Sequence, residues 1–299
     1  MNKLANYQNG DYHITIYDTG TKIRKNMGRG EHVAFPESID LKITNRCNAE
    51  CEFCHEGSLV DGKHADFNKL KEALEGLPAG IELAIGGGNP FEYPQLVEFL
   101  RFAKEKGFIC NITINAIHIS ENLDVLKQLV NEQLIHGIGV SLTEYPYLSD
   151  IVTLMRISPN VVIHTVLGIT DWQNVFNLSI TAPYPLKIVV LGYKRKGRGV
   201  TYYNSLRDFN VICEEAIHFL ESPIYTFNID VIAFDNLAIE QLNIDVKDTP
   251  FYMGDDGEFT MYYDAVTNKA AISSTSKKRE SCNNILEFWT GKNNKKQKE

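Results

Sequence analysis

From residue 38 to residue 193 short β-rich runs alternate with helix-like segments, and this rhythm restricts the chain more than any other feature. The runs read SIDLKIT (38–44), GIELAIGG (80–87), FICNITIN (108–115), IHGIGVSL (135–142), VVIHTVLGI (161–169) and PLKIVVLGY (185–193). Between them, stretches such as DFNKLKEALEGL, YPQLVEFLRFAKEKG and ENLDVLKQLVNEQL set apolar residues three and four apart, the spacing of a one-sided helix. Such alternation builds parallel strands joined by crossover helices. Near-continuous apolar strands suit a sheet covered on both faces or closed into a barrel. An α/β barrel often exceeds 200 residues as one unit, so 299 residues are consistent with a single catalytic domain.

The flanks read differently. Residues 1–37 contain DYHITIYDTGTKIRKN, which is expected to fold as an N-terminal β-hairpin around a Thr-Gly turn. In residues 201–299, SLRDFNVICEEAIHFLES is helical, and IYTFNIDVIAFD and GEFTMYYDAVTNKAAISS return to strand and turn without repeating the earlier rhythm. This part is expected to form a C-terminal α+β cap ending in a disordered basic tail, GKNNKKQKE. The longest apolar runs are too short to span a membrane, and the first residues carry no apolar signal core, which points to a cytoplasmic protein without a membrane partner. A net charge of −8 argues against wrapping a large nucleic acid, although a local basic patch could still hold a phosphate.

Three of the six cysteines fall within eight residues, in TNRCNAECEFCHEG, as Cys47, Cys51 and Cys54. Six cysteines are too few for a disulfide scaffold of this size, and clustered thiols in a reducing compartment bind metal or do redox chemistry. Three thiolates on a tight loop can hold three irons of a cubane 4Fe-4S cluster and leave the fourth iron open. Structural zinc normally takes four ligands. His55 could in principle complete such a set, but its adjacency to Cys54 makes simultaneous chelation awkward. The triplet follows the first strand, and IGGGNPF follows the second, so both lie at the carboxyl ends of strands, where chemistry collects in parallel barrels.

Cys47, Cys51 and Cys54, with Phe53 before the last cysteine and Gly87, Gly88, Asn89 and Pro90 after the second strand, resemble the radical S-adenosylmethionine (radical SAM) superfamily over residues 38 to 193. The resemblance implies a partial (β/α)6 TIM-like barrel over residues 38–200, with the hairpin and cap as additions. It also implies a 4Fe-4S cluster held by the three cysteines, with S-adenosyl-L-methionine on the open iron. Reductive cleavage of the sulfonium then yields methionine and a 5'-deoxyadenosyl radical that abstracts hydrogen from substrate. An electron donor such as flavodoxin or ferredoxin is a further implied partner. Asn89 stands where the family usually has Glu. Loss of that carboxylate matters little if backbone atoms of the glycine turn hold the coenzyme's amino group. Asn115 and Ser141 loosely match the positions that hold ribose and carboxylate, and Leu191 in the sixth strand suits the adenine face. Each of these also has a plain structural reading, a satisfied loop backbone or core packing.

Lys194, Arg195, Lys196 and Arg198 follow the sixth strand in GYKRKGRG. They are either a solvated charge run or cations that capture a phosphate or carboxylate of substrate. Cys110, Cys213 and Cys282 do not group as a second cluster site and read as inert thiols, with Cys282 also a candidate hydrogen donor to a substrate radical. Substrate identity is left open between a peptide, a nucleotide-like small molecule and a partner enzyme that needs a glycyl radical. The rival reading from another class is a non-catalytic redox sensor in which the triplet holds zinc or a labile iron-sulfur cluster.

Overall fold

The structure, a computed structural model, describes residues 1–28, 30–143 and 147–296, the last four by backbone alone. In chain order the elements are β1 (Lys3–Asn9), β2 (Tyr12–Tyr17), β3 (Lys22–Asn26), β4 (Ser38–Thr44), α1 (Phe67–Ala73), β5 (Glu82–Gly87), α2 (Leu96–Glu105), β6 (Ile109–Asn115), α3 (Leu123–Asn131) and β7 (Gly137–Leu142). There follow α4 (Leu148–Ile157), β8 (Val161–Val166), α5 (Trp172–Thr181), β9 (Leu186–Leu191), α6 (Gly199–Tyr203), α7 (Phe209–Glu221), β10 (Ile229–Phe234) and α8 (Asn236–Leu242). The chain ends with β11 (Thr260–Asp264), β12 (Lys269–Ala271), β13 (Glu280–Ser281) and α9 (Ile285–Lys296). All six strands expected from the alternation are present.

They lie in one ten-stranded sheet of order β10-β9-β8-β7-β6-β5-β4-β11-β12-β13. Every pairing from β10 to β11 is parallel, and β12 and β13 add antiparallel. The fold is thus α/β with a large, mostly parallel sheet. The sheet is open, because its terminal strands β10 and β13 do not pair with each other. The last third extends it on both sides, contrary to the reading of those residues as lacking the strand–helix rhythm. β10 continues the rhythm beyond β9 after a longer helical crossover. β11 returns some 220 residues later in sequence, an approximate span, to pair in parallel with β4, matching Tyr262 to Asp40 and Asp264 to Lys42.

Burial alternates with a period of two along the central strands. Ile39, Leu41, Ile43, Leu83, Ile85, Ile112, Ile114, Ile138, Val140, Ile163, Ile188 and Val190 are sealed on the helix-covered face. The intervening residues Asp40, Ala84, Thr113, Ser141, His164 and Leu191 face the other way and are less buried, apart from Lys42. Of the two arrangements expected, a sheet covered on both faces or one closed into a barrel, the first does not describe this sheet, which is sealed on one face. Glycine and polar residues on the second face leave a space instead of a core.

Helix starts are capped by aspartates. Asp66 accepts from Asn68 N and Lys69 N, Asp171 from Gln173 N, Asp208 from Asn210 N and Asp235 from Ala238 N. α2 buries Leu96, Phe99, Leu100 and Ala103, spaced as the sequence pattern requires.

The N-terminal segment is a three-stranded antiparallel sheet β1-β2-β3 rather than a lone hairpin, and its Ile14 and Ile16 join the main core. It sits against the amino ends of the parallel strands. Lys22 pairs with Glu82, and Asn160 donates to Asp18 O. The tail expected to be disordered is helical through Lys296, and residues 297–299 of it lie outside the described residues. Trp289 of α9 is 1% exposed and donates its indole N–H to Val33 O at 3.1 Å. Trp289→Ala should lower unfolding free energy by about 3–5 kcal/mol, the cost of emptying a large aromatic site, measured by chemical denaturation.

Candidate functional site

A cavity of about 390 Å³ opens at the carboxyl ends of β4 to β9. Its walls include Cys47, Cys51, Cys54 and Phe53, the glycines Gly87 and Gly88, and Asn115, Ser141, Leu191 and Lys194. The sheet's period of two and its parallel register bring these together from six separate strand ends. Asn115, Ser141 and His164 lie side by side, because β6 pairs Asn115 with Ser141 and β7 pairs Ser141 with His164. The His164 ring occupies the space that a side chain on Gly139 would fill, 2.4 Å from where that Cβ would stand.

The cysteine loop between β4 and α1 is held by hydrogen bonds of its own backbone, with Cys47 N donating to Leu59 O and Cys54 N to Cys51 O. The glycine turn packs against it so closely that a Cβ on Gly87 would lie 2.4 Å from Thr44 O and one on Gly88 2.1 Å from Arg46 O. Gly87 also has φ +115°, so both sterics and conformation demand glycine there. Gly88 N and Asn89 N donate to Thr44 O and Arg46 O, which leaves carbonyls, not N–H groups, for a ligand's ammonium. Asn89 and Pro90 are buried and do not line the cavity. The Asn89 side chain instead accepts from Phe91 N at 3.2 Å and starts a short turn.

Burial raises the pKa of Cys47 and lifts Cys51 to about 11, and in both the neighbouring cysteines add to the rise. Thiols that oppose one another's ionisation are a donor set that calls for a cation. Among the described residues, no group of three or more His, Cys, Asp and Glu side chains is arranged to hold a single metal ion. A cubane takes its ligands on separate irons, so its thiols need not meet at one point. The chemistry of three neighbouring thiols on one loop is compatible with such a cluster. Asn115 Nδ2 lies 3.9 Å from Cys51 Sγ, while its Oδ1 accepts from Ile117 N, so this side chain both closes its own turn and faces the thiol. His118 Nε2 lies 3.8 Å from Cys47 Sγ.

Within the basic loop, left open between a solvated charge run and anion capture, Arg198 meets the cysteine loop itself. Arg198 donates from Nε to Cys51 O at 2.9 Å and from Nη2 to Ser58 O at 3.0 Å, and its backbone N–H donates to Cys54 O. Its donors thus grip the cysteine loop. Arg195 stacks on the Tyr203 ring, 3.4 Å from its centre, and is not among the residues lining the cavity. Lys194 does line the cavity, with Nζ donating to Ser274 Oγ at 2.9 Å. Cys282 is not at the site. It is 2% exposed at the far edge of the sheet, where its thiol meets Asn284 O, and burial pushes it up to about 12.

A buried charge network beside the cysteines escaped the sequence reading. Lys42 lies 2.6 Å from Glu56 and 3.6 Å from Asp264, and Arg279 reaches Asp264 at 3.3 Å. The Tyr262 hydroxyl donates to Glu56 at 3.1 Å. Burial alone would raise the Glu56 pKa, but Lys42, His55 and Arg279 together bring it below the usual value. The one signal in sequence was Asp40 and Lys42 at alternate places in an otherwise apolar strand.

The radical SAM superfamily model matches residues 41–162. The cofactor-modifying protein for tungsten-containing aldehyde ferredoxin oxidoreductase from Pyrococcus furiosus is 30% identical over 39% of this chain and 33% of its own length. PqqA peptide cyclase from Bradyrhizobium diazoefficiens is 25% identical over 38% of this chain and 30% of its own. The chain thus spans about a third of the length of these curated relatives. Among solved structures, Streptococcus suis SuiB bound to precursor peptide SuiA superposes with a TM-score of 0.60 at 15% identity, over 86% of this chain and 65% of that one. SuiB bound to S-adenosylmethionine gives 0.59 at 13%, over 86% and 66%. Residues 41–162 thus form a region that matches the radical SAM superfamily. That superfamily uses a 4Fe-4S cluster and S-adenosylmethionine as its cofactors.

Two outcomes follow from the local chemistry. Burial, with Lys194 nearby, lowers the His164 pKa to about 4, so below pH 6.5 the unfolded chain takes up a proton that the folded chain refuses. Stability should fall as pH drops from about 6.5 towards 4, and His164→Gln should make that slope shallower in denaturation curves. Arg198→Met should lower iron retention after anaerobic reconstitution by several-fold, read as iron per chain after gel filtration, because two carbonyls of the cysteine loop lose their donor.

Proposed function

We propose that the chain is a radical SAM enzyme that modifies a peptide. The observation that carries this is the convergence of three thiols, a glycine turn and polar strand ends on one cavity at the carboxyl ends of the parallel strands. In this reading Cys47, Cys51 and Cys54 hold the 4Fe-4S cluster, and carbonyls of the Gly87–Gly88 turn accept from the coenzyme's ammonium. Asn115 and Ser141 meet its polar groups, and Phe53 and Leu191 its apolar faces. The bound cofactors supply reductive cleavage of S-adenosylmethionine and hydrogen abstraction.

The protein's part is to fix and shield. Arg198 and the Lys42–Glu56 pair hold the cysteine loop, while the segment after β12, through Ser274, borders the cavity and limits water. The sheet from β4 to β9 is read as the partial barrel core, residues 38–200, with residues 1–37 across its amino end and residues 201–299 flanking its mouth. Peptide as the substrate is supported by the peptide cyclases among the relatives and by the peptide-bound SuiB among structures of like fold. No described helix is long and apolar enough to cross a membrane, and a reducing cytoplasm suits the cluster.

Cys51→Ala should remove the brown colour of reconstituted protein and its iron, and abolish 5'-deoxyadenosine formation with dithionite and S-adenosylmethionine. A colourless wild-type protein carrying one zinc would refute the assignment. Adding the low-mass fraction of cell extract should raise 5'-deoxyadenosine yield, and pretreating that fraction with protease should cancel the gain. A gain that survives protease rules out a peptide.

A further inference from the structure

The turn that follows β6 brings two side-chain nitrogens to the cysteine loop. Asn115, at the end of β6, accepts from Ile117 N through Oδ1, which fixes its amide so that Nδ2 is the atom turned to Cys51 Sγ, at 3.9 Å. Three residues on, His118 places Nε2 3.8 Å from Cys47 Sγ. The backbone of His118 is held in turn, its carbonyl accepting from Asn122 Nδ2 at 2.8 Å. The residue is 2% exposed and borders the cavity.

Which ring nitrogen carries the proton follows from the far side of the imidazole. Nδ1 is buried and has no hydrogen-bond partner among the described residues. In the neutral ring one nitrogen donates and the other accepts. A proton on Nδ1 would strand a buried N–H and leave Nε2 as an acceptor, and a thiolate bound to a metal has no proton to give it. A proton on Nε2 strands only a lone pair and meets a sulfur that can receive it. The second arrangement costs less.

A donor at that place has an electronic effect. Ligand thiolates gain negative charge when a cluster is reduced, so an N–H aimed at one of them stabilises the reduced form more than the oxidised form. The effect is strengthened where little water competes for the sulfur.

Building on the proposed role of Cys47 as a cluster ligand, we infer that His118 is a positioning residue that donates Nε2–H to Cys47 Sγ and raises the reduction potential of the cluster. The imidazole acts through the thiolate and binds neither iron nor substrate. By raising the potential it brings the cluster within reach of an external electron donor.

The test uses full-length protein reconstituted anaerobically, without S-adenosylmethionine, and reads the reduction potential by redox titration followed by electron paramagnetic resonance. His118→Phe keeps a planar ring and removes the donor, whereas His118→Gln keeps an N–H of similar reach. At a fixed solution potential, the ratio of reduced to oxidised cluster should fall about tenfold in His118→Phe, a downward shift of about 59 mV for one electron. His118→Gln should recover most of it. An unchanged potential in His118→Phe overturns the inference, and so does a His118→Gln potential as low as that of His118→Phe. Should His118→Phe lose its iron, a second measurement decides: with isotope-labelled histidine incorporated, the reduced wild-type cluster should show a weak nitrogen coupling that His118→Gln removes. Absence of that coupling, its persistence in His118→Gln, or the strong coupling of an iron-bound imidazole overturns the inference. A loss of S-adenosylmethionine affinity in His118→Phe at unchanged potential also overturns it and assigns the ring to the coenzyme. Failure of the wild-type protein to form a 4Fe-4S cluster counts against the proposed function, and a cluster that keeps its potential in His118→Phe counts against His118 alone.

Discussion

Lys42 places an ammonium group where little water reaches, and the mouth of the cavity is arranged around it. The residue is 7% exposed, between Glu56 of the cysteine loop and Asp264 of β11. Isolated, such a charge would cost several kcal/mol. Paired on both sides, it ties three parts of the chain that are remote in sequence: the first strand of the parallel series, the loop that bears the thiols and the late strand β11. Arg279 extends the tie to Asp264 and to Ser274 O. Removing one partner strands the others, so the network acts as a unit.

The same logic explains why β11 pairs with β4. Its backbone satisfies the β4 edge that would otherwise face solvent, and its side chains Tyr262 and Asp264 arrive level with Asp40 and Lys42. The pairing is parallel and bridges a very long loop, an entropically demanding closure. Ladder hydrogen bonds, the buried Tyr263 and the charge network oppose that demand together. The last third of the chain is thus part of the site's construction as well as its border.

What the sequence made legible was local or periodic. Six strands and the helices between them could be read because apolar spacing of two, or of three and four, reports which side of an element is buried. The cysteine triplet could be read because its three ligands lie within eight residues. The role of Arg198 could not, since a run of lysines and arginines looks the same whether it meets solvent, a phosphate or two carbonyls of a loop 147 and 140 residues away. β10 and β11 were visible as strands but not as members of the main sheet. Parallel pairing leaves no mark in the intervening sequence, and only side-chain packing fixes the partner.

The glycines show where sequence and structure reinforce each other. A motif of three glycines alone is a plain turn, and nothing in its composition tells which backbone it approaches. The structure supplies the partner: carbonyls of Thr44 and Arg46, at distances no side chain tolerates. The turn after the second strand is therefore pinned to the loop after the first, and the thiols inherit their position from it. Arg198 holds the same loop from the opposite direction, by Cys51 O and Ser58 O. Clamped between a glycine turn and a guanidinium, and anchored through Glu56 to the buried lysine, the loop has little freedom left. That rigidity is what an open-cornered cluster requires, because three ligands must keep a fixed geometry without a fourth to complete it.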